Sequence, residues 1–257
     1  MAHAFETVTL LVTHYNRSRS LENLLRSFGA LSCTFGDIVV SDDGSRPEHL
    51  DALKQLQATY PFRLITTERN RGLGNNINKG QDAVRTPYTL YIQEDFQPAA
   101  IFPEKLSAAL RFMENDPALD YVRFYAYIPY PYRKPYGEGF SEMYTPAWGL
   151  DYTKIYAYSD HPHLRRTTFF QKFGRYGEGI KGDRMEYNMC LSFIQHKGKG
   201  LFYDDFKSLL EQINPEAEPS TMTRSAWTQS GNRFVAFLRD VYRQVKYNFD
   251  IHFSRQP

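Results

Sequence analysis

Two adjacent carboxylates, Glu94 and Asp95, follow a short β-rich apolar run, Tyr88 to Ile92. Paired acids repel each other unless something positive sits between them, and a divalent cation that also holds a phosphate is the economical candidate. A solvated strand end leading into the next helix is the plainer alternative. Three more apolar runs of strand length end in polar clusters: Thr13-His14-Tyr15-Asn16-Arg17, Asp42-Asp43-Gly44-Ser45 and Glu68-Arg69-Asn70-Arg71-Gly72. A carboxylate there can accept the N3–H of a pyrimidine, Tyr15 can stack on its ring, and a metal at Asp95 can bridge two phosphates. Together they suit a nucleoside diphosphate. Any one cluster reads equally well as a turn, because Asp, Asn and Gly are common turn residues; four in series weaken that explanation.

The elements that must position these groups alternate in type. Strands are expected at Thr7 to Thr13, Asp37 to Ser41, Phe62 to Thr66 and Tyr88 to Ile92. Between them the spacing predicts helices over Ser18 to Gly29, over Pro47 to Tyr60, and over the GLGNNINKGQDAV stretch. Such alternation predicts a Rossmann-like α/β fold with a mostly parallel central sheet flanked by helices. In an open sheet of this kind ligands bind at the carboxyl ends of the strands, where all four clusters fall. Further on we expect a helix over Phe102 to Asn115, a strand over Tyr121 to Ile128 and a long loop from Tyr130 to Tyr144. Helices follow over Leu164 to Phe173 and Arg184 to Lys197. A basic amphipathic helix lies beyond Ser225, with Phe234, Phe237, Leu238, Val241, Tyr242 and Val245 at helical spacing. Packing on the domain or on a second subunit, as in a homodimer, is its expected role. Peripheral attachment to an anionic membrane through Arg233, Arg239, Arg243 and Lys246 is the alternative.

Composition narrows the classes. The 257 residues suffice for one large α/β domain. A net charge of +2 provides no basic field for nucleic acid. The aromatic share, 16%, is high, and tyrosine-rich surface suits sugars or flat rings. Cys33 and Cys190 lie far apart in apolar contexts and read as reduced, buried thiols of a cytoplasmic protein. No leader-like segment opens the chain, and no apolar run approaches the ~18–20 residues of a membrane span. Gly72-Leu73-Gly74 starts like a dinucleotide fingerprint, but position 77 is Ile and the segment follows the third strand, so that reading fails.

The ordered series VTLLVTHYNR, VVSDDGS, ERNRGLGNNINKG and LYIQEDF resembles the N-terminal half of family 2 glycosyltransferases of the GT-A fold. The resemblance implies a donor-binding half over 1–98, an acceptor-binding half over 99–222 and a helical C-terminal extension over 223–257. It implies that Thr13, Tyr15, Asn16, Asp42, Asn70, Gly72 and Glu94 surround the nucleotide of a UDP-sugar. Asp95 would ligate Mn²⁺ or Mg²⁺, although Gln93 stands where many relatives carry an acid. In the C-terminal half, RRTTFFQKFGRYGEG is similar to the segment that precedes the family's acceptor-side helix. Counting back from Gly198 puts the family's Glu-Asp pair at Glu186-Tyr187, so the usual Asp base is Tyr here. Glu186 is then the first candidate base and Asp183 the second. Trp148 and His163, with the Tyr130 to Tyr144 loop, would line the site for a glycan or lipid-linked glycan acceptor. The setting implied is bacterial surface-polysaccharide synthesis, in the cytoplasm or at the inner face of the cell membrane. Two other classes remain open: a nucleotide-sugar-forming nucleotidyltransferase, although THYNRSRS lacks the expected glycines, and a degenerate nucleotide-sugar-binding protein.

Overall fold

A computed structural model describes residues 2–146, 149–213 and 233–254, with side chains in the last segment from 239 onward. Strand β1 (His3–His14) runs through Val8, Leu10, Leu11 and Val12, all fully buried. It lies parallel between β2 (Cys33–Asp42) and β4 (Tyr88–Gln93), and β3 (Arg63–Ile65) extends the parallel set beyond β2. A continuous apolar run is what a strand covered on both faces requires. On one face Leu10, Val12, Leu90 and Ile92 meet Leu21, Leu24, Leu25 and Phe28 of helix α1 (Ser18–Ala30), and Leu106 and Ala109 of α4 (Phe102–Asn115). On the other, Leu11, Val39 and Tyr91 meet Ile77 of α3 (Leu73–Asp82), and Met185, Met189 and Phe193 of α6 (Gly182–Gln195). Helix α2 (Pro47–Leu56) packs beside α1 and adds Leu53 to the core on the first of these faces. Alternating side chains therefore feed two cores, one on each face.

The remaining sheet departs from the expected pattern. The strand predicted over Tyr121 to Ile128 stops early, as β6 (Tyr121–Arg123), and the chain leaves the sheet at Phe124. The predicted loop from Tyr130 to Tyr144 contains a hairpin, β7 (Arg133–Gly137) and β8 (Phe140–Met143), turned through Gly137, Glu138 and Gly139, all with positive φ. The helix predicted over Leu164 to Phe173 divides. Its first part is strand β9 (His163–Arg166), antiparallel to both β4 and β6; only Phe169–Phe173 is helical, as α5, ended by Gly174 at φ 80°. With β10 (Gly200–Tyr203), the nine-stranded order is β3-β2-β1-β4-β9-β6-β10-β8-β7, so strands from both halves of the chain share one sheet. A short ribbon pairs β5 (Phe96–Pro98) with β11 (Leu210–Gln212).

Helix α7 (Arg233–Phe253) docks through a face other than the predicted stripe. Tyr247 and Ile251 pack against the α6 side of the core, while Val241, Tyr242 and Val245 face outward with Phe249 and Phe253. Phe234, Phe237 and Leu238 have side chains outside the described residues. Arg243 and Lys246 are engaged within the chain, by Tyr152 and Asp250. Both cysteines are free and buried. Among the described residues, no helix is long and apolar enough to cross a membrane.

Candidate active site

The carboxyl ends of β1, β2 and β4 meet the amino end of β9 along one edge of the sheet. At the β2 end, Asp42 is fully buried and its oxygens are taken. His14 Nδ1 lies 2.8 Å away, and Ser45 donates through both its N–H (3.0 Å) and its hydroxyl (2.5 Å). Thr66 donates from 2.8 Å. Burial would raise this carboxyl, but the hydrogen bonds from His14, Ser45 and Thr66 outweigh it and hold the group far below the usual carboxylate range. Asp42, expected to read a base, here ties the ends of β1, β2 and β3 together. Its neighbour Asp43 accepts one backbone N–H on each oxygen, from Arg71 (2.8 Å) and Gly72 (2.9 Å), leaving one lone pair on each. Gly44 between these loops has φ 68°, and a Cβ there would lie 2.4 Å from the Arg69 carbonyl carbon, so the turn requires glycine.

Other predicted contacts also serve the scaffold. Thr13 is buried and its hydroxyl meets Tyr91, so that side chain points into the sheet. Asn16, at φ 54°, receives the Arg46 N–H on its amide oxygen while its own N–H goes to Ser45. Asn70 is exposed and caps the Gly72 N–H, which Asp43 also holds. Tyr15 is half-buried at the edge.

The expected cation between Glu94 and Asp95 has a counterpart on the chain itself: Arg17 places its guanidinium 3.6 Å from Glu94 and 3.1 Å from Asp95. Gln212, beside β5 in the ribbon, donates to Asp95 Oδ2 from 2.9 Å, and the Ile213 N–H holds the Asp95 carbonyl. Asp95 Oδ1 is buried and makes no hydrogen bond. Leaving such a group unmatched costs about 1–3 kcal/mol or more, so this oxygen suits a cation ligand. Among the described residues, no three His, Cys, Asp or Glu side chains cluster as a metal site. A metal at Asp95 would need its remaining ligands from a bound phosphate and water.

Across the edge, Glu186 in the first turns of α6 accepts the Ser159 hydroxyl (2.7 Å) and the Asp160 N–H (3.3 Å). Ser159 also meets His161 Nδ1 at 2.7 Å. The His161 ring stands edge-on to Tyr125 (5.5 Å) and Tyr127 (4.7 Å). Contacts run from Asp95 through Gln212, whose amide oxygen accepts the Tyr127 hydroxyl, to Tyr127, His161, Ser159 and Glu186. Asp183 is exposed and caps the Arg184 N–H of its own helix. Tyr187 turns away, donating to Asp250 of α7 at 2.5 Å. His163, expected at the acceptor site, is fully buried on β9 between Tyr91 and Tyr121, and burial drives its pKa well down. Trp148 lies outside the described residues. Arg17, Asp43 and Gln212 were not predicted in these roles, nor was the partnership of Asp160 with Glu186. Asp43 stands in a motif already noticed, but Gln212 and Asp160 meet their partners only through the fold.

The sequence model described as "Glycosyl transferase family 2" matches residues 9–176. The chain belongs to glycosyl transferase family 2. Among curated members, this family 2 chain is 26% identical over 90 residues to poly-beta-1,6-N-acetyl-D-glucosamine synthase of Staphylococcus aureus (strain COL), which is 35% of this chain and 22% of that one. It is 22% identical over 115 residues to an uncharacterized glycosyltransferase of Haemophilus influenzae, 45% of this chain and 37% of that one. The aligned stretches thus span well under half of these relatives. In fold, it matches S. aureus TarS 1-349 in complex with UDP-GlcNAc with a TM-score of 0.66 at 17% identity, over 96% of this chain and 73% of that one. The mannosyltransferase PcManGT from Pyrobaculum calidifontis, in complex with GDP-Man and Mn²⁺, matches with 0.59 at 13% identity, over 98% and 66%. The fold is accordingly the GT-A fold.

Proposed function

We propose that this family 2 chain is an inverting glycosyltransferase that moves a sugar from a UDP-sugar to a hydroxyl of a glycan or lipid-linked glycan. The observation that carries this reading is the unmatched buried Asp95 Oδ1, on a carboxylate linked through Gln212, Tyr127, His161 and Ser159 to Glu186. Tyr15 stacks on the nucleobase, and Asp43 accepts its N–H with a remaining lone pair. Asp95 would hold a divalent cation such as Mn²⁺ or Mg²⁺, which would supply charge neutralisation to the leaving diphosphate. Arg17 keeps Glu94 and Asp95 together at the same place. The acceptor stacks on Tyr127, which is 51% exposed and fixed by its hydroxyl to Gln212. Glu186 takes the acceptor proton as that oxygen attacks the anomeric carbon from the face opposite the diphosphate. The relative named as a polysaccharide synthase supports a glycan acceptor.

The test is calorimetric titration with UDP and Mn²⁺, followed by turnover of a panel of UDP-sugars. Glu186→Gln should lower kcat at least ~10²-fold, the low end for a general base, with little change in donor affinity. Wild-type kcat in that variant removes Glu186 from the reaction. If no nucleoside diphosphate binds at all, the donor reading fails.

A further inference from the structure

Glu186 does not stand alone. Asp160 immediately precedes the turn into β9, is 9% exposed, and its carboxyl lies within hydrogen-bonding reach of that of Glu186. The Asp160 backbone N–H and the Ser159 hydroxyl fix one oxygen of Glu186 from the same segment. Two carboxyl groups in contact cannot both ionise without strong repulsion, so such a pair retains a proton that both share. We propose that Asp160 and Glu186 act as one such pair, in which Asp160 keeps its proton and hydrogen-bonds through it to the Glu186 carboxylate, positioning Glu186 as the sole base facing the acceptor. The inference rests on the reading of Glu186 as the base.

Burial decides which partner holds the proton. It pushes the Asp160 carboxyl well up, and the charge and hydrogen bond of Glu186 push it further. The titratable groups around Asp160 do not supply a competing positive charge. Tyr91 from β4, Tyr158 and Tyr176 are all raised by burial and neutral, as is Cys190 from α6. Burial brings the His161 imidazole down to about 4, so it too is neutral near pH 7. The cations nearby are spent elsewhere: Arg123 donates to the Tyr156 carbonyl and Arg165 to Gln81. In the transfer step the acceptor O–H bond breaks and its proton goes to Glu186. The acceptor oxygen bonds to the anomeric carbon, and the bond from that carbon to the diphosphate breaks, its electron pair leaving with the nucleoside diphosphate. Asp160 keeps its proton throughout, and solvent then takes the one gained by Glu186.

As the pH rises, Asp160 ionises, Glu186 loses its donor and gains a negative neighbour, and kcat falls on the alkaline side. The experiment compares kcat against pH for wild type, Asp160→Asn and Asp160→Ala with a UDP-sugar donor. Asn cannot ionise but still donates, so Asp160→Asn should lack the alkaline fall. Asp160→Ala should lower kcat near pH 7 about 10–100-fold, the worth of a hydrogen bond to a charged group, with donor KM little moved; Asn should restore most of that loss. An alkaline limb unchanged in Asp160→Asn, absent from wild type, or an Asn variant no better than Ala, overturns the pairing. Should the alanine variant fail to fold, the pH profile of Asp160→Asn decides alone. If Glu186→Gln retains wild-type kcat, the base reading has failed rather than the pairing.

Discussion

Asp42 and Asp43 are chemically identical neighbours with different work, because their environments differ. Asp42 has donors from three strand ends around a fully buried carboxylate, whereas Asp43 retains lone pairs at the sheet edge. Replacing Asp42 by Asn keeps the shape but removes the charge those donors solvate, and should lower unfolding free energy by about 1.5–3 kcal/mol. The pH dependence has a definite sign. The native carboxyl titrates below its unfolded value, so its contribution is present above about pH 4 and is lost as the pH falls through the unfolded and then the native pKa. Urea unfolding between pH 7 and pH 3 checks both points; acid loss of stability as steep in Asp42→Asn as in wild type would show that Asp42 does not carry it. Asp43→Asn, by contrast, should weaken UDP binding about tenfold, roughly 1.4 kcal/mol, while Asp42→Asn retains UDP affinity when folded. Titration of both variants with UDP separates the two roles.

At the scale of elements, β9 and α7 show how neighbours override local pattern. The residues of β9 continue into Phe169 and Phe170 with spacing that suits a helix, and short apolar runs do not distinguish helix from strand. Leu90 on one side and Val122 on the other fix Leu164 in the sheet, and the same pairing brings Ser159 to His161 to the active edge. Helix α7 is held by polar anchors: the buried Lys154 ammonium reaches Asn248 at 2.6 Å, and Tyr187 donates to Asp250. Tyr187 occupies the position where the family resemblance places an Asp, and here it serves docking. Tyr187→Phe should therefore loosen α7, giving about tenfold faster protease cleavage within the helix for ~1.4 kcal/mol lost, with kcat within about twofold. A kcat loss of ~10²-fold or more would put Tyr187 in the reaction instead.

At the scale of the whole molecule, the parallel strands aim their ends at one edge, so one ligand is expected to stabilise the entire fold. A nucleoside diphosphate at 100 times its Kd adds about 2.7 kcal/mol, which for a chain of this size is a rise in Tm of roughly 5–10 °C. UDP with Mn²⁺ should produce such a shift and a chelator should reduce it. Asp95→Asn should remove the metal-dependent part, since that substitution takes away the charge at the one unmatched carboxylate oxygen of the edge among the described residues. Equal shifts with and without Mn²⁺ in wild type would assign the diphosphate to Arg17 and other groups rather than to a metal.

The sequence by itself determined the alternation of apolar runs and amphipathic helices, and with it the parallel core of β1 to β4, because burial on both faces leaves a continuous apolar signature. Helices α3 and α4 begin where predicted for the same local reasons, a glycine before Leu73 and a proline in the first turn after Phe102. It also determined that polar clusters would stand at the strand ends, and Glu94-Asp95 do so. Only the tertiary structure decided what each polar group faces. Arg17 reaches Asp95 from the loop after β1, Gln212 arrives from 117 residues further along the chain, and Asp160 meets Glu186 because β9 runs antiparallel between β4 and β6. Hydrogen bonds and charge pairs act over a few ångströms in space, whereas periodicity reports only which side of an element is apolar. A carboxylate spent on its own scaffold and one left open to a ligand are therefore the same letter in sequence, and burial with partners tells them apart.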